Sequence, residues 1–317
     1  MMQRLRTEIE RTPLRQLIGC REGVLLLGSC FTDNIGTWMQ EHWLPVMSNP
    51  WGVLFNPASI AMSLKRVIAS NDEDIPFELC FHEGRYFSFA HHSKWSGKDA
   101  EELQRQLVEL DAQVRDFWQQ TQHVIVTLGT SWVYEREGSV VANCHKFPTN
   151  DFVRRRLSVE EIVALWNPII EASAYKHFIF TVSPIRHVKD GLHGNQLSKG
   201  TLLLAIDALQ QHYAERVEYL PVYELLMDDL RDYRFYADDL VHPSPLAIEA
   251  VKELVTDCCF SIPLKKYMCE ASPIVKAFRH RPSDPESEEY VKFRQDTLQR
   301  KDALLAKYGM AAPIFVP

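Results

Sequence analysis

No apolar run in this chain approaches the roughly 20 residues that span a bilayer. The opening residues, Met1-Met-Gln-Arg-Leu-Arg-Thr-Glu, carry no apolar core of a secretory leader. A membrane partner is therefore not expected, and residence in the cytoplasm is. Clustered basic charge is also scarce. With 35 Lys and Arg against 42 Asp and Glu, the formal net charge is −7, which disfavours a nucleic-acid surface. The one basic run, Arg154-Arg-Arg156, precedes an expected helix and reads as a solvated face. The seven cysteines are odd in number and lack framework spacing, so reduced thiols are expected. No Cys-x-x-Cys pair is present, which argues against structural zinc. There is no internal repeat and no low-complexity segment.

What is present is a chain of 317 residues, 46% apolar and 24% charged, enough for one large α/β domain with insertions. It is organised around Gly23-Val-Leu-Leu-Leu-Gly-Ser-Cys-Phe-Thr-Asp-Asn-Ile-Gly36. Val24 to Leu27 read as a strand buried on both faces, and Ile35, Trp38, Met39 and Trp43 follow at helical spacing. The turn Gly28-Ser29-Cys30 thus joins a strand to a helix, where open α/β sheets bind ligands. A thiol there meets unpaired N–H groups and the positive end of the helix dipole, both of which favour the thiolate. Cys30 is the candidate nucleophile.

Further buried strands are expected at Val46-Met47, His123 to Gly129, Lys176 to Val182 and Val217 to Leu220. Helices are expected from Ala58 to Ile68, Ala100 to Gln120, Ser158 to about Leu165, Lys199 to Tyr213, Tyr223 to Leu230 and Pro245 to Cys259. Two hairpins turn at Glu83-Gly84 and Glu137-Gly138 and fit only as insertions on the rim of a parallel sheet. The fold expected is three-layer α/β/α with a mostly parallel central sheet. Asp190 to Leu197 reads as a polar connection near a pocket, which Arg186 and His187 could also reach.

Beyond residue 260, Pro263, Pro273, Pro282 and Pro285 break the chain into short pieces. Glu286 to Tyr308 then reads as an exposed helix with a thin stripe of Val291, Leu298 and Leu305. Three parts follow: a lead-in over 1–22, an α/β domain over 23–260, and a C-terminal irregular and helical arm over 261–317. The arm is expected to pack on the domain or on a second subunit, as in a homodimer.

Two short motifs carry a resemblance. Gly28-Ser-Cys-Phe-Thr-Asp33 lines up with the Gly-Asp-Ser-Leu-Thr-Asp opening of the SGNH or GDSL hydrolases, and Gly-Ser-Cys-Phe resembles the signature of the GSCFA family, a branch of that superfamily. Asp239-Leu-Val-His242-Pro243 is similar to the superfamily's last block. The resemblance spans roughly residues 20 to 260 and implies an SGNH/flavodoxin-like sheet. It implies Cys30 as nucleophile, with Ser29 the other choice, His242 as base and Asp239 as the acid that orients it, Asp238 being the fallback. Gly52 would supply an oxyanion N–H by its order in the chain. Ser131, in Leu128-Gly-Thr-Ser131-Trp132, replaces the superfamily's oxyanion asparagine.

Asn143, at the exit of the second hairpin, could supply the missing donor, and His145 or Lys146 could hold an anionic or carbonyl group of a substrate. The activity implied is hydrolysis or transfer of an acyl ester of a small molecule or glycan, with no cofactor. The alternative is a module that keeps the fold and binds a small ligand or carbohydrate without chemistry. A metal site gathering His91, His92 and His145 lacks ligand spacing.

Overall fold

The computed structural model describes residues 6–69 and 76–310. The first five residues of the expected lead-in and the last seven of the expected arm lie outside the described residues. The elements run β1 (Gly23–Gly28), α1 (Cys30–Glu41), β2 (Val46–Ser48), α2 (Pro57–Ala69), β3 (Leu79–His82), β4 (Arg85–Ser88), β5 (Ser96–Gly97) and α3 (Ala100–Gln120). Then come β6 (Thr121–Leu128), β7 (Trp132–Arg136), β8 (Ser139–Val141), β9 (Val153–Arg156), α4 (Val159–Glu171), β10 (His177–Val182) and α5 (Gly191–His212). The chain closes with β11 (Val217–Tyr219), a short α6 (Val222–Glu224) continued by a π-helical turn over Leu225–Leu230, α7 (Pro245–Cys259), α8 (Ile262–Phe278) and α9 (Glu288–Tyr308).

The central sheet is parallel throughout, in the order β11-β10-β6-β1-β2. Alternate residues of each strand face opposite layers. Leu25, Leu27, Val124, Val126, Phe178 and Phe180 pack with the helices α2 to α5. Val24, Leu26, Ile125 and Ile179 pack with α1, α7, α8 and α9. The three-layer α/β/α expectation holds. Chain order reverses between β1 and β6, so the switch point of the sheet lies at their carboxyl ends, beside Gly28-Ser29-Cys30 and Gly129-Thr130-Ser131.

Both hairpins form as expected. Their turns place Glu83 and Gly84, and Glu137 and Gly138, at positive φ, the geometry of two-residue turns that match strand twist. Each gains a third strand that local patterning did not indicate, β5 beside β4 and β9 beside β7. The arginine run is thereby corrected from a solvated lead into a helix to a strand. Arg155 pairs with Glu135 and Glu161, and Arg154 pairs with Asp190.

Three helix boundaries differ from expectation. Residues 191–197 belong to α5 rather than to a connection, and α4 runs through Pro168 to Glu171. Ile262–Phe278 is one helix, not short pieces. Pro263 sits in the first turn, where its missing N–H has no intrahelical partner to lose. Buried Leu264, Tyr267, Ala271 and Ile274 hold the helix against the core despite Pro273. The Tyr267 hydroxyl also donates to the His42 carbonyl at 2.7 Å. On α9 the inward residues are Thr297, Leu304 and Leu305, whereas Val291 and Leu298 are exposed. No helix among the described residues is long and apolar enough to cross a membrane.

Candidate active site

The first β–α corner is shaped by a glycine. Gly28 has φ 137°, and a Cβ there would stand 2.1 Å from the Thr127 carbonyl oxygen, so no side chain fits. Ser29 follows in extended conformation as the N-cap of α1, and its N–H donates to the same Thr127 carbonyl at 3.2 Å. The Ser29 hydroxyl is buried without a hydrogen-bond partner and points to no base. Cys30 is the first helical residue and is half-buried. Burial raises its thiol pKa and the Asp33 carboxylate raises it further, against the backbone N–H groups that lower it. The expected thiolate is therefore corrected to a thiol that needs a base, because desolvation outweighs the helix end.

Asn49 locks this corner. Its Oδ1 accepts the Gly28 N–H at 2.8 Å, and its Nδ2 donates to Asp33 Oδ1 at 2.7 Å. Sequence reasoning passed over it, since its only local mark is the turn-forming Asn49-Pro50 pair. Gly52 closes the same turn, at φ 86°, by donating its N–H to the Asn49 carbonyl at 2.8 Å. That N–H is taken, so the expected oxyanion role of Gly52 is corrected to a structural one. The chain then crosses the switch point. Leu54 N–H donates to the Gly28 carbonyl at 3.1 Å, and the Phe55 carbonyl accepts from Gly129 and Thr130 at 2.8 and 3.1 Å.

Ser131 is also turned away from any substrate. It is fully buried, its N–H donates to Ser198 Oγ at 2.8 Å, and its hydroxyl lies within 3.3 Å of the Ser198 carbonyl. Its assignment as an oxyanion donor is corrected to a tie between β6 and α5. His145 is likewise a packing residue. It is buried, stacks on Phe87 at 4.6 Å and places Nε2 2.8 Å from the Ser88 carbonyl. Asn143 differs: its Oδ1 accepts the His145 N–H at 2.8 Å, and the residue lines a cleft. Among the described residues, no group of three or more His, Cys, Asp or Glu could hold a metal ion.

The downstream motif forms a ready pair. His242 Nδ1 lies 2.5 Å from Asp239 Oδ2, while Asp239 Oδ1 accepts the N–H groups of Val241 and His242, each at 2.9 Å. Hydrogen bonds from the His242 backbone and ring, and then from Val241, hold the Asp239 carboxyl down at about 2. An ionised Asp239 can only accept, so Nδ1 carries the proton of this pair and Nε2 is the ring nitrogen left over. Nε2 has no partner among the described residues. Asp238 takes no part in this pair. The loop is anchored where Arg186, just past β10, donates to Tyr236 Oη at 3.1 Å. Cys30 directly follows the carboxyl end of β1 and Arg186, which holds Tyr236, follows that of β10, but no hydrogen bond joins Cys30 Sγ to His242.

Beneath this edge lies a residue that reads in the sequence as one more member of an apolar helix. Lys199 on α5 is only 1% exposed, and its ammonium donates to the Gly129 and Ser183 carbonyls at 2.5 and 2.6 Å. It ties the ends of β6 and β10 together without a carboxylate, and burial brings its pKa down to about 7. Neighbouring His187 is pushed down to about 4, by burial first and by Lys199 second. His187, Phe55 and Thr130 share a cleft of about 360 Å³ with the second hairpin.

The family model described as GSCFA family matches residues 23–254, well over half of the chain. That described as GSCFA domain protein, C-terminal domain, matches residues 271–310. No curated protein and no solved structure matches.

Proposed function

This chain belongs to the GSCFA family, and from that premise we propose that it is an esterase-type hydrolase or O-acyltransferase of SGNH type. In this reading Cys30 is the nucleophile, His242 the base and Asp239 its orienting acid. The observation that supports it is the Asp239–His242 pair, with Nδ1 and Oδ2 2.5 Å apart and no partner for Nε2 among the described residues. Because burial and Asp33 keep Cys30 protonated, attack has to be coupled to proton transfer. The Sγ–H proton passes to His242 Nε2 as sulfur bonds to the acyl carbon. The imidazolium then protonates the departing alkoxide as the C–O bond breaks.

The resulting thioester is resolved by water, giving hydrolysis, or by a second alcohol such as a sugar hydroxyl, giving transfer. Since Cys30 and His242 share no hydrogen bond at rest, the loop carrying His242 must approach Cys30 when substrate binds. Both side chains of the pair are about half exposed, which leaves them room to do so. The test is turnover of a short p-nitrophenyl ester by the wild type, Cys30→Ala and His242→Ala. Loss of turnover in both variants, with folding retained, supports the reading. Equal turnover in all three ends it.

A second reading is favoured by the oxyanion donors. Gly52 and Ser131 are both committed elsewhere, as a chemically silent binding module would permit. It predicts no acyl adduct on Cys30 and ligand affinity that survives Cys30→Ala.

A further inference from the structure

The cleft of about 360 Å³ lies on the α2–α5 side of the switch point, and neither Cys30 nor His242 lines it. Its volume is within the range of small-molecule sites. Phe55, 39% exposed, and Trp132 supply apolar wall. Two cations lie on its lining, and they differ. Arg154 lies over the Trp132 ring and is paired with Asp190, so its charge is matched. Lys189 donates to Tyr134 Oη at 3.2 Å and, among the described residues, has no carboxylate in ion-pair range. Two of its three N–H groups are left for a ligand. The Asn143 side-chain N–H₂ is a further donor without a partner among the described residues, since only its oxygen is used. With Arg154 matched by Asp190, Lys189 leaves one unmatched positive charge on the lining of the cleft.

We infer that the cleft binds a small organic anion, with a carboxylate or phosphate head on Lys189 and Asn143 and a ring-shaped body against Phe55 and Trp132. This goes beyond the acyl-transfer reading and does not depend on it. The pairing of Arg154 with Asp190 favours one anionic head over two, because a second would face the Asp190 carboxylate. Cys144 lines the same cleft, half-buried, with the Lys189 charge close enough to act on its thiol. An anion seated on Lys189 therefore covers Cys144, which serves as a built-in reporter.

The experiment measures iodoacetamide labelling of Cys144 by peptide mapping, in the full chain and in its Cys30→Ala variant. Benzoate, phenyl phosphate and neutral benzyl alcohol are each added in turn. For a ligand of about 1 mM affinity at about 10 mM, protection is about tenfold. Protection by either anion but not by benzyl alcohol, retained in Cys30→Ala and lost in Lys189→Met, is the expected result, and the stronger anion identifies the head group. Lys189 is exposed, and an unchanged melting temperature confirms that the variant is folded. Equal protection by benzyl alcohol, no protection by either anion, or protection that survives in Lys189→Met would overturn the inference. Loss of ester turnover in Cys30→Ala bears on the catalytic reading alone, so the two can fail separately.

Discussion

Lys199 gives a stability signature that can be worked out from the structure. Its pKa of about 7 in the folded chain lies well below the ordinary 10.5 it regains on unfolding. Between those values the unfolded chain binds more protons, so the folded state is relatively stabilised as pH rises through that window. At about pH 7 the burial cost is almost fully present, and at about pH 9.5 most of it is relieved. Integrating the two titrations gives a gain of about 3 kcal/mol over that step. The assay is urea unfolding of the wild type and Lys199→Met at both pH values, compared as a difference of differences. Methionine keeps the length and removes the charge, but leaves the Gly129 and Ser183 carbonyls unsatisfied. The variant should therefore lose stability at high pH and lose the pH-dependent gain as well. If the wild type itself shows no gain, or if the variant shows the same gain, the buried ammonium is not what ties β6 to β10.

Gly52→Ala puts a Cβ 2.3 Å from the His92 Cβ at positive φ, and should cost about 2–5 kcal/mol in chemical denaturation. Gly84→Ala, at similar φ with open space around it, should cost about 1 kcal/mol. Asn49→Ala strands the Gly28 N–H and frees Asp33, for a loss of about 2–4 kcal/mol, and should shift the pH dependence of Cys30 alkylation. Asp239→Asn should lower ester turnover by about 10²–10⁴-fold by allowing the wrong tautomer of His242. With Asp239 held at about 2, its ionised form, and the link to His242, is complete above its ordinary value and fails only as pH falls toward about 2. An acid limb of activity above about pH 4 in the wild type must then come from another group, which a pH–rate profile checks.

The parallel sheet was legible because its strands are apolar on both faces and stand alone in the chain as short runs. Val24 to Leu27 and Phe178 to Val182 are such runs. The hairpins were legible because Glu-Gly turns fix two-residue loops. β9 was not, since Arg154 and Arg155 are neutralised only by Asp190, Glu135 and Glu161, partners that tertiary structure supplies. The helix through Pro273 was hidden for the same reason: packing of Tyr267 and Ile274 overrides a local breaker.

At the site, the Asp239–His242 pair could be read directly, because a three-residue spacing on one loop needs no long-range assembly. The roles of Gly52 and Ser131 could not be. Whether an N–H or a hydroxyl is free depends on what faces it, and here Asn49 and Ser198 use them first. The same holds for the Cys30 thiol, whose direction of shift is set by burial and by Asp33 rather than by the helix end that the sequence displays.

In the proposed reaction Cys30 Sγ takes an acyl group with the help of the His242 imidazole. This step is tested most directly by quenching the protein with acid shortly after mixing with p-nitrophenyl acetate and mapping the acetyl group by mass. The expected result is an acetyl adduct on the peptide holding Cys30, absent in Cys30→Ala and strongly reduced in His242→Ala. An adduct confined to another residue, or equal acetylation of Cys30 with and without His242, would contradict it.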